Sequence, residues 1–575
     1  MADHVTSSDQ VLSKPRAAFP ESNGLSKASA TLQRSLRLGR LGEFVLQPQI
    51  LLLTIVAIVA GRDLNRGEFF FYGDAMRHAM NGAFFRDFLL DLPLRHPLQY
   101  VYEYYAKYPA LAFPHWPPLF HFIEGVFFLL FGLSPWVSGM VVLGFALLGI
   151  YYWYRIAERL GPRHRAFLSA LILACLPFVL VYERVTMLEI PALALCLGAI
   201  HFWLRFQETE RHGDLLALTG FVVAAFLTSQ KAIFLALFIV VDLVVERRWR
   251  LLKRWDVWLA LLVSLVAVIP WYLLAARTMT FWSARLIGLT GKQGHYLLTS
   301  RNYLFYLPKL YAQMGPVLIG LACVGLLIAI LRPTRSNRFW LVWVLSGYLC
   351  FTLVREKDPR HSMLLIPPLI YLAVVALETI CVRRAIALTA SSVLALVYLV
   401  NGLRTERPSV TGAREVAQYA LSLPESDIVY FQGQLDGDFI FFVRKFDPQK
   451  EHMVARDKQI VVTRLGMDPK AILQTREQIL GFFQTWGIRY AVVEDEDPFR
   501  QFAVVRELLH SDQFELLRTF PVQSNQPNYP VHEFQVYRFR GELHRTTQPV
   551  TLPMMTINHP ITVDLSRLVG HPWPN

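Results

Sequence analysis

Long apolar runs, separated by short polar connections, occupy most of the chain before residue 403. An α-helix needs ~20 residues to cross ~30 Å of hydrocarbon, and eleven runs approach that length. We therefore predict membrane spans at 44–60, 134–154, 166–182, 187–204, 214–230, 232–246, 256–276, 314–331, 339–354, 362–380 and 385–402. The pattern predicts an α-helical polytopic membrane protein with about 11–13 transmembrane helices.

The loop after the first span, residues 61–133, has a different pattern. Polar residues recur there at the i, i+3, i+4 and i+7 positions of a helix, namely Asp74, Arg77, His78 and Asn81. The neighbouring stripe is apolar and contains Met76, Ala79, Met80, Ala83 and Phe84. This pattern predicts a helix along the membrane surface, with its polar face turned into a cavity.

An apolar run at 117–132 also lies in this loop. Basic clusters recur on alternate later connections, at 159–165, 205–211, 247–254, 332–335 and 383–384. The positive-inside rule places such clusters in the cytoplasm, and a full crossing at 117–132 would move all of them outside. We therefore predict an interfacial or re-entrant helix at 117–132. The N-terminus is then cytoplasmic, and the first loop and the C-terminal region are external.

Residues 403–575 alternate short β-like runs with helical ones. Strands are predicted at 427–431, 459–462, 488–493, 514–517 and 533–537, and helices at 472–486 and 499–509. This alternation predicts a soluble external α/β domain. The region has no phosphate-loop or metal-ligand spacing, so we expect it to support the membrane domain or to recognise an acceptor.

Composition agrees with a membrane protein: 54% of the 575 residues are hydrophobic, and mean hydropathy is +0.35. In a membrane protein the net charge of +13 is not by itself a nucleic-acid signal. We expect membrane lipids as partners and no nucleic acid. Residues 1–43 are rich in Ser, Ala and basic residues and lack an apolar run. We therefore expect a disordered cytoplasmic N-terminus without a cleavable signal peptide. The five cysteines lie in or beside apolar runs, so we expect no structural disulfide.

The external connection 277–313 contains basic residues and no acidic one. Its basic residues are Arg277, Arg285, Lys292, His295, Arg301 and Lys309. Such residues on the translocated side run against the positive-inside rule, so they indicate an anionic ligand such as a lipid phosphate, which Arg binds through paired hydrogen bonds. The alternative is attachment to anionic lipid head groups.

Two carboxylates are candidates for proton transfer, because an acid in a membrane cavity is costly unless it is used or paired. Asp74 could instead be the N-cap of its helix. Glu189 begins a span before Pro191, and it could instead pair with Arg184 or stabilise the helix start. Lys231 lies in a turn between two spans, where it is either a phosphate ligand or a snorkelling side chain.

The external loops supply the remaining candidates. The last external loop, residues 355–361, offers basic side chains for a donor phosphate, namely Arg355, Lys357, Arg360 and His361. Arg301, in the connection 277–313, is a further candidate. The first loop offers cavity residues, namely Arg77, His78, His115, Trp116 and Glu124. His115 could instead be a packing residue, and His121 could pair with Glu124 on one helical face. The histidine spacing supports no metal ligand, and the sequence leaves the need for a divalent metal open.

A membrane cavity with carboxylates and several basic side chains suits group transfer from a lipid-linked phosphate. The carboxylate would deprotonate an acceptor hydroxyl, and the basic residues would stabilise the departing phosphate. For a sugar donor, direct displacement inverts the anomeric centre.

The order of these motifs resembles that of the GT-C membrane glycosyltransferases, of the protein O-mannosyltransferase and aminoarabinose transferase (ArnT-like) type. The resemblance covers residues 44–402. The first motifs are the aspartate that opens a surface helix (Asp74), the Pro-Pro-Leu helix start (117–119) and the Met-Leu-Glu-Ile-Pro turn (187–191). The lysine turn (Lys231) and the Arg-x-Lys-x-Pro-Arg-His loop (355–361) follow.

The resemblance implies a polyprenyl-phosphate sugar donor and a lipid, glycan or protein hydroxyl as acceptor. It assigns the catalytic aspartate to Asp74 and places Ala75 where the family usually has a second acid. It also places Glu189 at a family aspartate and puts Lys231 and the basic residues of the last loop on the phosphate side. A multi-pass protein of a bacterial inner membrane, with a periplasmic C-terminal domain, is then expected.

The alternative function is a lipid-linked oligosaccharide flippase or transporter. Such proteins typically show inverted repeats and broken helices near the midplane, and the sequence shows neither. A membrane sensor is a third class, but it would leave Asp74, Glu189 and the basic loops without a role.

Overall fold

The computed structural model describes most of the chain after the N-terminal segment. It covers residues 47–66, 68, 74–278, 300–354, 357–381, 383–462, 470–495, 503–527, 529–553, 557 and 559–570. The chain divides into two compact units, Met1–Leu51 and Leu52–Asn575. In the first unit the described residues begin a helix, and the predicted disordered segment 1–43 lies outside the described residues.

Sixteen α-helices precede the C-terminal domain in the described residues. They are α1 (Pro48–Gly61), α2 (Asp74–Asp91), α3 (Pro97–Lys107), α4 (Leu119–Phe131), α5 (Pro135–Leu160), α6 (Arg163–Cys175), α7 (Pro177–Glu183), α8 (Glu189–Thr209), α9 (His212–Phe226), α10 (Ile233–Val245), α11 (Trp255–Thr278), α12 (Ser300–Leu304), α13 (Tyr306–Leu331), α14 (Arg335–Leu353), α15 (Ile366–Ile380) and α16 (Arg384–Arg404). Short 3₁₀ turns lie at Gln230–Ala232, Trp249–Lys253 and Pro359–Leu365.

The described part of each of the eleven predicted spans is mainly helical. Six described helices are long and apolar enough to cross a membrane, and the bent pair α6–α7 makes a seventh if it is one span. The other four predicted spans correspond to α1, α9, α10 and α14, which are shorter or more polar. The prediction of a helical polytopic membrane protein is confirmed.

The expectation of no broken helices is wrong, because two long helical segments are broken. Proline and glycine explain the breaks. Pro177 begins α7, which bends by 68° from α6, because proline lacks the N–H that would continue the preceding helix. In α13, Gly315 adopts φ 78° immediately before Pro316. A residue before proline is pushed out of the helical region, and glycine reaches positive φ without strain.

Helix α4 covers the ambiguous apolar run and packs closely against α2. Its 13 residues span about 20 Å at ~1.5 Å per residue, less than the ~30 Å of a bilayer core. Glycines allow the close approach: a Cβ on Gly125 would lie 2.8 Å from Cβ of Phe85, and one on Gly82 would lie 2.5 Å from Oε2 of Glu124. Its relation to the membrane stays a prediction.

Substituting Gly125 by alanine should destabilise this helix pair by about 1–3 kcal/mol, the usual cost of overpacking. The new methyl group would meet the Phe85 Cβ and the carbonyl oxygen of Gly82, which cannot rotate away. Thermal unfolding in detergent measures the effect. Gly144→Ala, in α5, is the matched control, because a Cβ there meets nothing within 4 Å. Equal melting temperatures for the two variants would contradict the close packing.

The amphipathic helix predicted from Asp74 is present as α2, but its surroundings differ from the expectation. His78 and Asn81 are buried together with the apolar stripe, while Asp74 and Arg77 remain partly exposed. The reason is that α2 packs against the C-terminal domain as well as against α4. Only the first turn of the predicted polar face therefore keeps exposed polar groups.

The C-terminal domain has an α/β fold, as predicted. Its helices are α17 (Ala413–Ser422), α18 (Asp436–Phe446), α19 (Arg476–Trp486), α20 (Ala503–Leu509) and α21 (Leu565–Leu568). Its strands are β1 (Val410–Thr411), β2 (Ile428–Gln432), β3 (Met453–Arg456), β4 (Val461–Val462), β5 (Lys470–Ala471), β6 (Tyr490–Glu494), β7 (Phe514–Pro521), β8 (Gln523–Ser524), β9 (Glu533–Phe539), β10 (Val550–Leu552) and β11 (Ile561–Val563).

The main sheet of this domain has the order β3-β2-β6-β9-β7. Strands β3, β2 and β6 are parallel, whereas β9 is antiparallel to both β6 and β7. Two predicted boundaries are corrected. Gln459 belongs to a 3₁₀ turn rather than a strand, and the helix predicted from residue 472 begins at Arg476, because Thr475 and Gln478 form a capping box.

Candidate active site

Asp74, the first residue of α2, contacts a guanidinium from a distant part of the chain. Nη1 of Arg360 donates to Oδ2 of Asp74 at 3.1 Å. The same guanidinium pairs with Asp358, whose Oδ2 lies 2.8 Å from Nη2. Asp358 also accepts from the backbone N–H of Arg360 at the start of the Pro359–Leu365 turn. Arg360 is thus held between two carboxylates.

Glu189, the first residue of α8, joins the same group. Its Oε1 accepts from Nζ of Lys231 and lies 3.9 Å from Nε of Arg360. The alternative pairing of Glu189 with Arg184 is wrong, because Arg184 donates instead to the backbone carbonyls of Val59 and Thr405. The reason is that Arg184 points towards α1, whereas the first turn of α8 faces the turn that carries Lys231.

Three carboxylates and two cations therefore meet from four separate segments. They are Asp74, Glu189 and Asp358 with Lys231 and Arg360. Burial raises the pKa of Asp74 above its usual value of 3.8, although Arg360 and Arg77 act in the opposite direction. The side chains of Lys231 and Arg360 keep 20% and 24% of their surface exposed, so a ligand can reach them. The arrangement can hold an anion beside a carboxylate of raised pKa.

Neutral histidines and a tryptophan lie next to this cluster. His78 is one turn after Asp74, its Nδ1 is 2.9 Å from Nε2 of His121, and its ring centroid is 4.2 Å from that of Trp116. Burial lowers the pKa of His78 well below its usual value and that of His115 to about 4. These imidazoles are therefore uncharged at neutral pH, and the contacts that they make are hydrogen bonding and stacking.

Glu124 was expected in the cavity or paired with His121, and its surroundings are different. Oε1 of Glu124 accepts from the hydroxyl of Ser138, which is in turn 2.8 Å from that of Thr186. His121 pairs with His78 instead. Glu124 is completely buried, so it supports the packing of α4 on α5 rather than lining an exposed surface.

The other predicted phosphate ligands are more dispersed. Nζ of Lys357 donates to the carbonyls of Phe351 and Thr352 in the last turn of α14, at 2.8 and 2.6 Å, and burial lowers its pKa to about 8. His361 lies 3.4 Å from the hydroxyl of Tyr306. Arg301 lies in α12. The predicted residues Arg355, Arg285, Lys292 and His295 lie outside the described residues.

Arg77, one turn after Asp74 on α2, connects the site to the C-terminal domain, since its Nη2 is 3.9 Å from Oδ2 of Asp436. Neither Asp436 nor Asp358 was predicted as a site residue. The Asp-Pro pair before Arg360 is a turn and N-cap signature that could have indicated Asp358. Within the described part of the chain, no group of three or more His, Cys, Asp or Glu side chains is arranged to hold a metal ion.

Comparison with known proteins supports the resemblance. Residues 115–273 match the family model of dolichyl-phosphate-mannose-protein mannosyltransferase. This segment contains Glu189, Lys231 and the His115–Trp116 pair. No curated protein sequence matches the chain significantly.

Solved structures share the fold at low sequence identity. ArnT from Cupriavidus metallidurans bound to undecaprenyl phosphate has a TM-score of 0.61 and 16% identity, over 86% of this chain and 99% of that chain. Its apo form gives 0.57 and 17%, over 85% and 97%. The Archaeoglobus fulgidus oligosaccharyltransferase, in complex with Zn and sulfate, gives 0.51 and 12%, over 77% and 68%. The chain is thus an integral membrane protein with the GT-C fold.

Proposed function

We propose that this integral membrane protein of GT-C fold transfers a sugar from a polyprenyl-phosphate donor to an acceptor hydroxyl of a lipid, glycan or protein. The observation that carries the proposal is the convergence of Asp74 and Glu189 on the partly exposed cations Lys231 and Arg360. The matched mannosyltransferase segment and the ArnT structure with bound undecaprenyl phosphate support a lipid-linked donor.

Asp74 is the base in this proposal. Its carboxylate takes the proton of the acceptor hydroxyl while the hydroxyl oxygen bonds to the anomeric carbon. The bond from that carbon to the phosphate oxygen breaks, and its electron pair leaves with the polyprenyl phosphate. The raised pKa of Asp74 makes it a stronger proton acceptor than an ordinary aspartate. Because acceptor and phosphate lie on opposite sides of the sugar carbon, the anomeric configuration inverts.

Arg360 and Lys231 stabilise the negative charge that develops on the leaving phosphate. The charges of these two cations are balanced by Asp74, Glu189 and Asp358. One carboxylate oxygen of Glu189 contacts both Lys231 and Arg360. Its proposed role is therefore to orient these cations rather than to move a proton. Among the cations of the last loop, Arg360 is the preferred phosphate ligand, because the Lys357 ammonium is already engaged by backbone carbonyls.

The site is proposed to lie on the external face, since the basic clusters of the chain fall on connections at the opposite ends of the predicted spans. In that orientation the C-terminal domain is external too, because α18 packs on the same helix that carries Asp74.

The test is sugar transfer by purified protein in sealed lipid vesicles. Polyprenyl phosphates carrying labelled mannose or a labelled pentose are supplied with membrane-impermeant hydroxyl acceptors, and NMR gives the anomeric configuration of the product. We expect product of inverted configuration only in vesicles whose C-terminal domain is accessible to added protease. Retention of configuration would exclude direct displacement. Release of no polyprenyl phosphate with any donor and acceptor would contradict the function.

A further inference from the structure

Three ion pairs join α2 to the C-terminal domain along the length of the helix. They are Arg77 with Asp436, Asp87 with Arg444, and Asp91 with Lys450. They begin in the turn that carries Asp74 and end at the last residue of the helix. A helix held in its first turn and at two points near its C-terminal end is fixed in rotation and in translation.

The Asp87–Arg444 pair is the most enclosed of the three. Nε and Nη2 of Arg444 donate to the two carboxylate oxygens of Asp87 at 2.7 and 2.8 Å, and the side chains are 3% and 0% exposed. Tyr104 donates to Asp87 at 2.9 Å, and Arg444 also donates to the carbonyl of Asp447 at 2.7 Å. A forked pair with further hydrogen bonds permits one geometry only, so it defines where α2 lies against α18.

The two helices also touch in the turn that carries Asp74. A Cβ on Gly437, the second residue of α18, would lie 2.2 Å from Cγ and 3.1 Å from Cβ of Met76. Met76 is two residues after Asp74 and is buried. The glycine therefore sets how closely the C-terminal domain approaches the start of α2.

A carboxylate of the C-terminal domain also enters the charge network of the site. Asp436 lies between Arg77, at 3.9 Å, and Arg456, at 2.6 Å. Arg456 additionally donates to the carbonyl of Pro109 at 2.6 Å. The positive charge of Arg77 favours the ionised form of Asp74. Asp436 partly neutralises that charge, so the position of Asp436 affects how readily Asp74 accepts a proton.

We propose that the C-terminal domain positions the Asp74 helix against Arg360, with Gly437, Asp87 and Arg444 as positioning residues of the transferase. The proposal rests on the proposed function for its kinetic consequence. It gives the C-terminal domain a role in the reaction without a ligand of its own: the distance between Asp74 and Arg360 depends on how that domain is seated on α2.

Gly437→Ala tests this role, and Gly481→Ala is its matched control. Both glycines lie in helices of the C-terminal domain, but a Cβ on Gly481 meets nothing within 4 Å. We expect Gly437→Ala to lower kcat at least ~10-fold with a smaller change in the KM for donor, because small misplacements of a reacting group are costly. We expect Gly481→Ala to keep the wild-type kcat.

Two further readouts separate positioning from a loss of folded protein. The charged groups that act on Asp74 are Arg360, Arg77 and Glu189. Arg77 moves with α2, whereas Arg360 and Glu189 lie outside it, so a shift of α2 relative to those two should move the acid limb of the pH–rate profile. Fewer folded molecules would lower the rate without moving that limb. Hydrogen exchange of the α2 amides should be faster in Gly437→Ala than in Gly481→Ala.

A second variant keeps the test decisive if Gly437→Ala folds poorly. Met76→Ala removes the Cγ that the new methyl group would meet, so Gly437→Ala should cost much less kcat in that background. An unchanged cost, or wild-type kcat, acid limb and α2 exchange in Gly437→Ala, would overturn the positioning role. If the wild type transfers no sugar, the proposed function fails, while the exchange comparison still decides whether the domain positions α2.

Discussion

Replacement of Asp74 by asparagine should lower kcat by about 10²–10⁴-fold, the usual contribution of a general base. Asparagine has nearly the same shape and can still occupy the space beside Arg360, but it cannot take the proton of the acceptor hydroxyl. Donor binding should change less than kcat, because Arg360 is released from Asp74 rather than removed. Initial rates of polyprenyl phosphate release, with donor and acceptor varied in turn, measure both parameters.

The matched control is Asp512→Asn, an exposed aspartate of the C-terminal domain, which should leave the rates unchanged. Asp74 must be ionised to act, and burial raises its pKa above 3.8. The rate of the wild type should therefore fall as the pH drops through that raised pKa, at a higher pH than an ordinary aspartate would give. Wild-type turnover by Asp74→Asn would show that another group takes the proton.

The order of the elements could be predicted from the sequence because it depends on local patterns. Apolar length places the helices, and the polar spacing after Asp74 places α2. The glutamate before Pro191 indicates the start of α8, and Asp358-Pro359 indicates the start of the Pro359–Leu365 turn. Each of the charged residues in the site lies at such an end, where a helix or turn begins.

The pairing of those charged residues could not be predicted, because it depends on how the helices pack. Glu189 is five residues from Arg184 in sequence but pairs with Lys231, which is 42 residues away. His121 and Glu124 share a helical face, yet His121 turns to His78 and Glu124 to Ser138. Spacing along one helix gives the available partners, and the neighbouring helices decide among them.

Helix α18 was not predicted, although it seats the C-terminal domain on α2. The run Phe439 to Val443 is apolar on every side, so its periodicity distinguishes neither helix nor strand. It is buried because α18 is enclosed by the sheet, by α17 and by α2. The positioning contact at Gly437 depends on this enclosure and has no signature in the local sequence.

The phosphate ligands predicted in the last loop were its cations, and Asp358 was not among the predicted site residues. A buried or half-buried arginine needs a counter-charge. Three carboxylates meet that need in the structure, and two of them, Asp74 and Glu189, were predicted for another reason. The resting charge balance therefore couples the proposed base to the proposed phosphate ligand, so donor binding at Arg360 should weaken its hold on Asp74.

Arg360→Gln should lower kcat/KM by about 10²–10³-fold, the scale for loss of one charge-stabilising donor at a developing anion. Both the KM for donor and kcat should change, because Arg360 is proposed to contact the phosphate before and during its departure. Loss of the guanidinium also removes the largest influence that favours the ionised form of Asp74. The acid limb of the pH–rate profile should therefore move to higher pH, opposite to the effect of removing a carboxylate neighbour.

Two comparisons make this result specific to the site. Arg360→Lys keeps the charge but loses the fork that spans two partners, so its rate should lie between those of the wild type and Arg360→Gln. Arg163→Gln, at an exposed arginine that pairs with Glu158, should leave the kinetics unchanged. Since Asp74 and Arg360 are in contact, the double variant with Asp74→Asn should lose less than the product of the two single effects. Strictly multiplicative losses, with an unmoved acid limb in Arg360→Gln, would mean that base and phosphate ligand act independently.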